Sequence, residues 1–490
     1  MNKIIKNFIA VLFLLVMTKS LFSQNTNKKF NVIFILADDL GWSDLGLYGS
    51  DLHETSNLDR FASENLRFTN AYTAASISSP VRASLMTGKH PARLNMTTWH
   101  EDAGPPEPNT QHKLLPPKTK GNLSLEEFSI GEVFKQAGYF TAHVGKWHLG
   151  GTVYYPEAHG FDVNIGGTKW GMPYSYWHPF GGWREVDNEY RYVPDLVDMD
   201  SDNEGTYLTD RLTDKALKVI ESKKEEPFYL QMNYYTPHVP LDGKPEYIEY
   251  YEDKAEPDLH HKNPDYAAMI ASLDENVGRI LHKVEEEGIS DRTVIIFYSD
   301  NGGLAKPRTN AEQNHPLHSG KGSLYEGGVR VPLIIKWPDM TKPGSVCDVP
   351  VTSTDFYPTF LDLLGFKGEE EHNKNLDGIS IAPVLKDPSN NLEREALYWH
   401  HPHYYPGRKG PVSAMRDGKW KLLHYFEDNK IELYNLKKDI EEQNNLADSH
   451  QEIANRLYQK LTKWRERVNA RLPSLNSDFI PEKWHIPEGL

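Results

Sequence analysis

The chain has 490 residues, with 54 Lys+Arg against 69 Asp+Glu and a net charge of −15. That length buries a large core and predicts two domains, while the acidic balance excludes a nucleic-acid binder that relies on overall positive charge. An anionic substrate must therefore be drawn in by a local basic pocket or a metal ion. Cys347 is the only cysteine, so no intrachain disulfide forms.

Lys3 and Lys6 precede an apolar run, Phe8 to Met17, that is too short to span a bilayer. Small and polar residues follow at Ser20, Ser23 and Gln24, so residues 1–23 read as a secretory signal peptide. No cysteine follows the run, so no lipid anchor is expected. The predicted destination is the periplasm or the outside of the cell.

Asn31 to Ala37 is a continuous apolar run, the pattern of a strand buried on both faces of a parallel sheet. It ends in Asp38-Asp39, outside the carboxyl end of the strand, where α/β sheets bind ligands. Next comes Ser78-Ser79-Pro80-Val81-Arg82, followed by Thr87-Gly88. Pro80 suits the first position of a helix and Ser79 the N-cap, which places Ser78 just outside, beside unpaired N–H groups that attract an anion. Arg82 is positioned for a bidentate contact with the same anion. A Ser-x-Pro start is also an ordinary helix cap.

Leu125 to Ala137 reads as a helix and Tyr139 to Val144 as a strand, which runs into Gly145-Lys146-Trp147-His148-Leu149-Gly150. Lys146 and His148 on that loop offer a fixed charge and an acid/base group. His100, Glu101 and Asp102 are candidates to line a substrate cleft. From Gly166 to Trp183 the composition shifts to Gly, Pro and aromatics. Stacking on sugar rings and packing under a long loop explain that composition equally well.

Pro227 to Tyr235 reads as a further strand, and Thr236-Pro237-His238-Val239-Pro240 holds His238 on a stiff turn at its end. Val294 to Tyr298 is another buried strand, ending in Ser299-Asp300-Asn301. Asp38, Asp39, Asp300 and Asn301 together offer only oxygen donors, which favour Ca²⁺ or Mg²⁺ over zinc. In Gly320 to Pro332, Lys321 lies between glycines and is predicted to be exposed and mobile, free to meet an anion. Beyond a polar boundary the chain shows a turn at Asp417-Gly418, a strand at Ile431 to Leu436 and a helical stripe from Ile453 to Val468. His400, His401 and His403 open this unit and read as substrate contacts or plain surface.

These motifs resemble those of the formylglycine-dependent sulfatases. Ser78-x-Pro80-x-Arg82 with Thr87-Gly88 matches the family's [Cys/Ser]-x-Pro-x-Arg motif, with Val81 where Ser or Ala is usual. Gly145 to Gly150, Pro237-His238-x-Pro240 and Lys321-x-x-x-x-Glu326-Gly327-Gly328-x-Arg330 match further segments. The resemblance implies a doubly wound α/β fold, with a mixed, mostly parallel sheet flanked by helices, and a smaller C-terminal α+β domain. The expected boundaries are 24–388 for the catalytic domain and 389–490 for the C-terminal one. It also implies that a maturase oxidises Ser78 to formylglycine, and that Asp38, Asp39, Asp300, Asn301 and residue 78 hold one Ca²⁺. Arg82, Lys146, His148, His238 and Lys321 are the remaining implied catalytic residues, while Glu326 and Arg330 hold their loop. The implied substrate is a sulfated polysaccharide or its oligosaccharides, algal ulvan among them. Two alternatives stand beside this reading: a phosphate or phosphonate ester hydrolase using unmodified Ser78, and a non-catalytic carbohydrate-binding protein.

Overall fold

Asn31–Ala37 forms a strand, β1, buried along its whole length. Its side chains alternate between two cores, with Ile33 and Ile35 in one and Val32, Phe34 and Leu36 in the other. A strand covered on both faces has no polar side, so its sequence is a continuous apolar run. The computed structural model describes residues 29–104, 109–185, 188–196, 204–305 and 313–483. The signal-peptide reading of residues 1–23 lies outside them. Among the described residues no helix is long and apolar enough to cross a membrane.

The other strands of the large sheet are β2 (Leu66–Tyr72), β3 (Phe140–Gly145), β4 (Val163–Ile165), β5 (Phe228–Asn233), β6 (Thr293–Ser299), β7 (Arg330–Lys336), β8 (Val346–Cys347) and β9 (Val351–Thr352). They form a nine-stranded sheet among the described residues, in the order β8-β2-β7-β6-β1-β5-β3-β4, with β9 also paired to β2. Only β7 runs antiparallel to its neighbours, β2 and β6. Helices α1 (Ser78–Thr87), α2 (Ile130–Gln136), α3 (Leu208–Lys223), α4 (Pro264–Glu286) and α5 (Phe356–Leu364) flank it. Val81, Leu85, Phe134 and Phe360 of α1, α2 and α5 cover one face. Leu212, Ala216, Met269, Leu273 and Val277 of α3 and α4 cover the other. The sheet is doubly wound, as the sequence predicts. Helix α2 is shorter than the predicted Leu125 to Ala137, because a capping box sets its start. Ser129 Oγ accepts from Glu132 N at 3.1 Å, and Ser129 N donates to Glu132 Oε2 at 2.8 Å.

A second, antiparallel sheet follows: β10 (Leu397–His401), β11 (Val412–Asp417), β12 (Trp420–Tyr425) and β13 (Ile431–Asn435) in sequential order. The predicted Asp417-Gly418 turn joins β11 to β12, with Gly418 at φ +58°. Helix α6 (Gln451–Arg467) packs Leu457, Leu461 and Trp464 on one face of this sheet, against Met415, Leu422 and Leu433. The other face, through Trp399, Val412 and Leu423, covers Leu324, Tyr325 and Val329 of the segment that carries Lys321. The three histidines at the start of this unit are not plain surface. All are buried, and His400 pairs with Ser413 Oγ (2.7 Å) while His403 Nε2 pairs with Thr97 Oγ1 (2.8 Å).

The two sheets are tied by a buried ion network. Lys421 Nζ lies 2.8 Å from Glu326 Oε1 and 3.2 Å from Glu442 Oε1, and Tyr72 OH donates to Glu326 Oε2 at 2.6 Å. Burial pushes Glu326 up, but Lys421 and Arg330 outweigh it and hold the carboxyl down to about 2. Removing one partner of such a pair strands the other charge in a medium that cannot solvate it. Lys421→Ala should therefore cost about 3–5 kcal/mol of stability, read as a lower midpoint in chemical denaturation. An unchanged midpoint would contradict the network's role.

Candidate active site

β3, β5, β1 and β6 are consecutive parallel neighbours, so their four carboxyl ends open on one side of the sheet. Asp38 and Asp39 leave β1 there, Asp300 and Asn301 leave β6, Lys146 and His148 leave β3, and His238 lies past β5. Backbone bonds lock these exits together: Asp38 N to Thr236 O (3.1 Å), Asp300 N to Ala37 O (3.1 Å) and Lys146 N to Asn233 O (2.8 Å). Gly145 has φ +98°, and a Cβ there would lie 1.8 Å from Asn233 O, so only glycine brings Lys146 this close. Asp39 (φ +65°) and His148 (φ +61°) both occupy the left-handed region. Each costs on the order of 1 kcal/mol, strain that the surrounding bonds must hold in place.

Helix α1 begins two residues earlier than predicted. Ile77, extended at φ −148°, is the N-cap without a side-chain cap bond, and Ser78 is the first helical residue. The predicted cap, Ser79, instead donates to His148 O (2.8 Å) and accepts from His100 N (3.1 Å), so tertiary contacts take its hydroxyl. Ser78 is buried, with Oγ 3.2 Å from Asp38 Oδ1, 3.3 Å from Asn301 Oδ1 and 3.3 Å from Lys146 Nζ. Arg82 turns its fork to Asp300 rather than outward: Nε and Nη2 both lie 2.9 Å from Asp300 Oδ2, and Nη1 donates to Lys146 O at 2.8 Å.

Three aspartates thus share a buried site with three cations. Lys146 Nζ lies 2.6 Å from Asp38 Oδ2, and Lys321 Nζ 2.6 Å from Asp39 Oδ1. Lys321 is not the exposed, mobile group predicted from its glycines. It is 8% exposed, because Tyr405 packs on Gly322 and Arg408 Nε donates to Lys321 O at 3.0 Å. Burial pushes every carboxyl up, but Arg82, Lys146 and Lys321 hold Asp300 below the usual carboxylate range, and Lys321 and His238 do the same for Asp39. Asp38 is pushed up to about 8 by burial and by the charge of Asp300, which Lys146 does not cancel.

His148 Nε2 lies 2.7 Å from Glu101 Oε2, and Glu101 Oε1 accepts from Gly171 N at 2.9 Å. A carboxylate only accepts, so Nε2 carries the proton and Nδ1 keeps its lone pair. Burial pushes His148 down to about 4 despite Glu101, so the ring is neutral near pH 7. His238 Nδ1 lies 2.7 Å from Val239 O, and its Nε2 stands 3.6 Å from Asp39 Oδ2. Ser78, His148, His238 and Lys321 line a cavity of about 340 Å³, together with Trp99, Asp102, Met172, Arg184, Arg191 and Tyr405.

The sequence brought Glu101 forward only as a cleft residue, and its pairing with His148 spans 47 residues with no local pattern to mark it. Arg184, Arg191 and Tyr405 were not singled out at all. The aromatic stretch divides: Trp170, Tyr176 and Phe180 are buried as packing, whereas Tyr174 and Trp183 are exposed.

A sulfatase family profile matches residues 30–366. The chain belongs to the sulfatase family. It is therefore a sulfuric ester hydrolase. A second profile, the C-terminal part of N-sulphoglucosamine sulphohydrolase, matches residues 317–467 and spans the Lys321 segment and the second sheet. A sulfatase of Formosa agariphila is 33% identical over 94% of each chain. N-acetylgalactosamine-6-sulfatase of Rattus norvegicus is 30% identical, covering 75% of this chain and 68% of its own. Among solved structures, Ps i-CgsB in complex with k-i-k-neocarrahexaose has a TM-score of 0.73 at 29% identity, covering 93% of this chain and 94% of its own. A phosphonate monoester hydrolase of Agrobacterium radiobacter, with a TM-score of 0.62 at 19% identity over 91% of this chain and 97% of its own, shares the fold.

Glu101 holds the His148 ring and fixes its tautomer. Glu101→Gln should lower kcat on an aryl sulfate by about tenfold or more, part of the ~10²–10⁴ that a positioned proton-transfer group contributes. KM should change less than kcat. An unchanged kcat would contradict the pairing's role.

Proposed function

We infer that this sulfatase removes sulfate from a sulfated polysaccharide or its oligosaccharides, with Ser78 as the precursor of a formylglycine nucleophile. The observation that carries this reading is the convergence of Ser78, Lys146, His148, His238 and Lys321 with four oxygen-donor side chains at the ends of adjacent strands. The polysaccharide class draws support from Ps i-CgsB, solved with a neocarrahexaose. Export and a formylglycine-generating maturase belong to the same reading, and algal ulvan is one substrate within it.

The donor set fits a hard divalent cation. Asp38, Asp39, Asp300, Asn301 and residue 78 offer oxygens alone, and three of them are buried carboxylates gathered in one site. Bound there, Ca²⁺ supplies Lewis-acid polarisation and neutralises charge. Formylglycine, as its hydrate, supplies a nucleophile whose sulfate ester breaks at carbon rather than at sulfur.

The chain's own groups do the rest. Ser78 stands at the N-terminus of α1, where free N–H groups and the helix dipole favour an anion. Arg82 positions Asp300 and the Lys146 loop. Lys146 and Lys321 aim ammonium protons at sulfuryl oxygens, and fixed donors in a buried site stabilise the charge that develops there. Neutral His148 takes a proton at Nδ1 with Glu101 behind it. Lys321, held as an ammonium, delivers a proton to the departing sugar oxygen, and His238 lines the same cavity beside it.

Sulfate release from carrageenan, fucan, ulvan and glycosaminoglycan oligosaccharides, followed by ion chromatography, tests the substrate class. Phosphate and phosphonate monoesters run in parallel. At least one sulfated glycan should be desulfated faster than any phosphorus ester is cleaved, and the reverse order would favour the phosphonate-hydrolase alternative. Exhaustive EGTA dialysis should lower both activity and Tm, and added Ca²⁺ should restore them. The shift in stability follows RT ln(1 + [L]/Kd), about 2.7 kcal/mol at a hundredfold excess over Kd. Full activity after chelation would contradict the ligand set.

A further inference from the structure

One wall of the cavity is built by a hairpin, Gly181–Arg184 paired with Glu189–Tyr192. Its register sets Gly182 opposite Arg191 and Arg184 opposite Glu189. Side chains alternate along a strand, and directly opposed residues share a face. Arg184 and Arg191 therefore project from the same face, where the Tyr174 ring packs directly on Gly182. Trp183, Tyr190 and Tyr192 occupy the other face and are exposed.

Both arginines line the cavity that also holds Ser78, His148 and Lys321. Arg191 is 3% exposed, and its guanidinium lies 4.7 Å from the centre of the Trp170 ring. That contact sets the cation against the face of the indole. So a chain of net charge −15 presents two guanidinium groups beside its reaction site, from an element separate from those that carry the sulfate-binding lysines.

We propose that Arg184 and Arg191 form a second anion-binding subsite, which takes an acidic substituent of the glycan other than the sulfate being removed. A planar guanidinium fork matches a sulfate ester and a uronate carboxylate alike. Glu101 and Asp102 also line the cavity, and their charge confines the second anion to the arginine wall. The substrate is then a glycan with at least two acidic groups, on one sugar or on neighbours. This rests on the sulfatase reading and narrows it.

Calorimetric binding to the Ca²⁺-loaded full chain tests the subsite without relying on turnover. The probes are galactose 6-sulfate, galactose 2,6-disulfate and a 6-sulfated galactose joined to glucuronic acid. The native chain should bind at least one two-anion probe tenfold or more tightly than the monosulfate. Arg184→Gln and Arg191→Gln should each erase most of that ratio, and Arg191→Lys should restore part of it. A gain confined to the disulfate identifies the second group as sulfate, and one confined to the uronate identifies a carboxylate. Arg184 is only half-buried, so its variant carries the test if the Arg191 variant fails to fold. Equal weakening on all three probes, or no weakening, would overturn the subsite. Failure of the sulfatase reading shows separately, as no sulfate release from 4-nitrocatechol sulfate by the native enzyme.

Discussion

Asp38, Asp39 and Asp300 lie together beneath the protein surface, and the rest of the structure is arranged to make that possible. Each buried carboxylate costs several kcal/mol in lost hydration, which only opposite charge and good hydrogen bonds offset. The compensating cations come from separate elements. Arg82 is on α1, Lys146 follows β3, and Lys321 is on the glycine-rich segment before β7. No single element holds the site: the sheet, α1 and the segment packed under the C-terminal unit each contribute a charge.

The C-terminal unit acts through Lys321. Tyr405 and Arg408 cover the Lys321 backbone, and Trp399 and Leu423 pack on Leu324 and Tyr325 next to it. Lys421 holds Glu326 five residues beyond. This explains why a lysine between glycines is buried and directed at Asp39 rather than mobile. It also explains why one cavity is lined from both parts of the chain, by Ser78 and by Tyr405.

Much of this was legible in the sequence where one local pattern carries one physical cause. Apolar runs that end in Asp38-Asp39 and Asp300-Asn301 read as buried strands with acidic exits, because burial on both faces leaves no polar alternation to confuse the pattern. Residues whose partners are distant in sequence were not legible. Ser79 looked like a helix cap because nothing local shows that His148 and His100 claim its hydroxyl. His400 and His403 looked like surface groups because their partners, Ser413 and Thr97, become neighbours only when the sheets form. The pairing of Glu101 with His148, and the shared face of Arg184 and Arg191, likewise emerge from register and packing rather than from spacing.

The central claim is that Ser78, lodged against Asp38, Asn301 and Lys146, becomes the nucleophile only after oxidation. A plain serine sulfate would need a second attack at sulfur, whereas an aldehyde hydrate releases sulfate by breaking a bond to carbon. Tandem mass spectrometry of the peptide spanning Ser78, in preparations made with and without a serine-type maturase, tests this directly when set against specific activity. The account predicts loss of the mass of two hydrogens at residue 78, in proportion to activity. A fully active preparation in which residue 78 is entirely unmodified serine would contradict it.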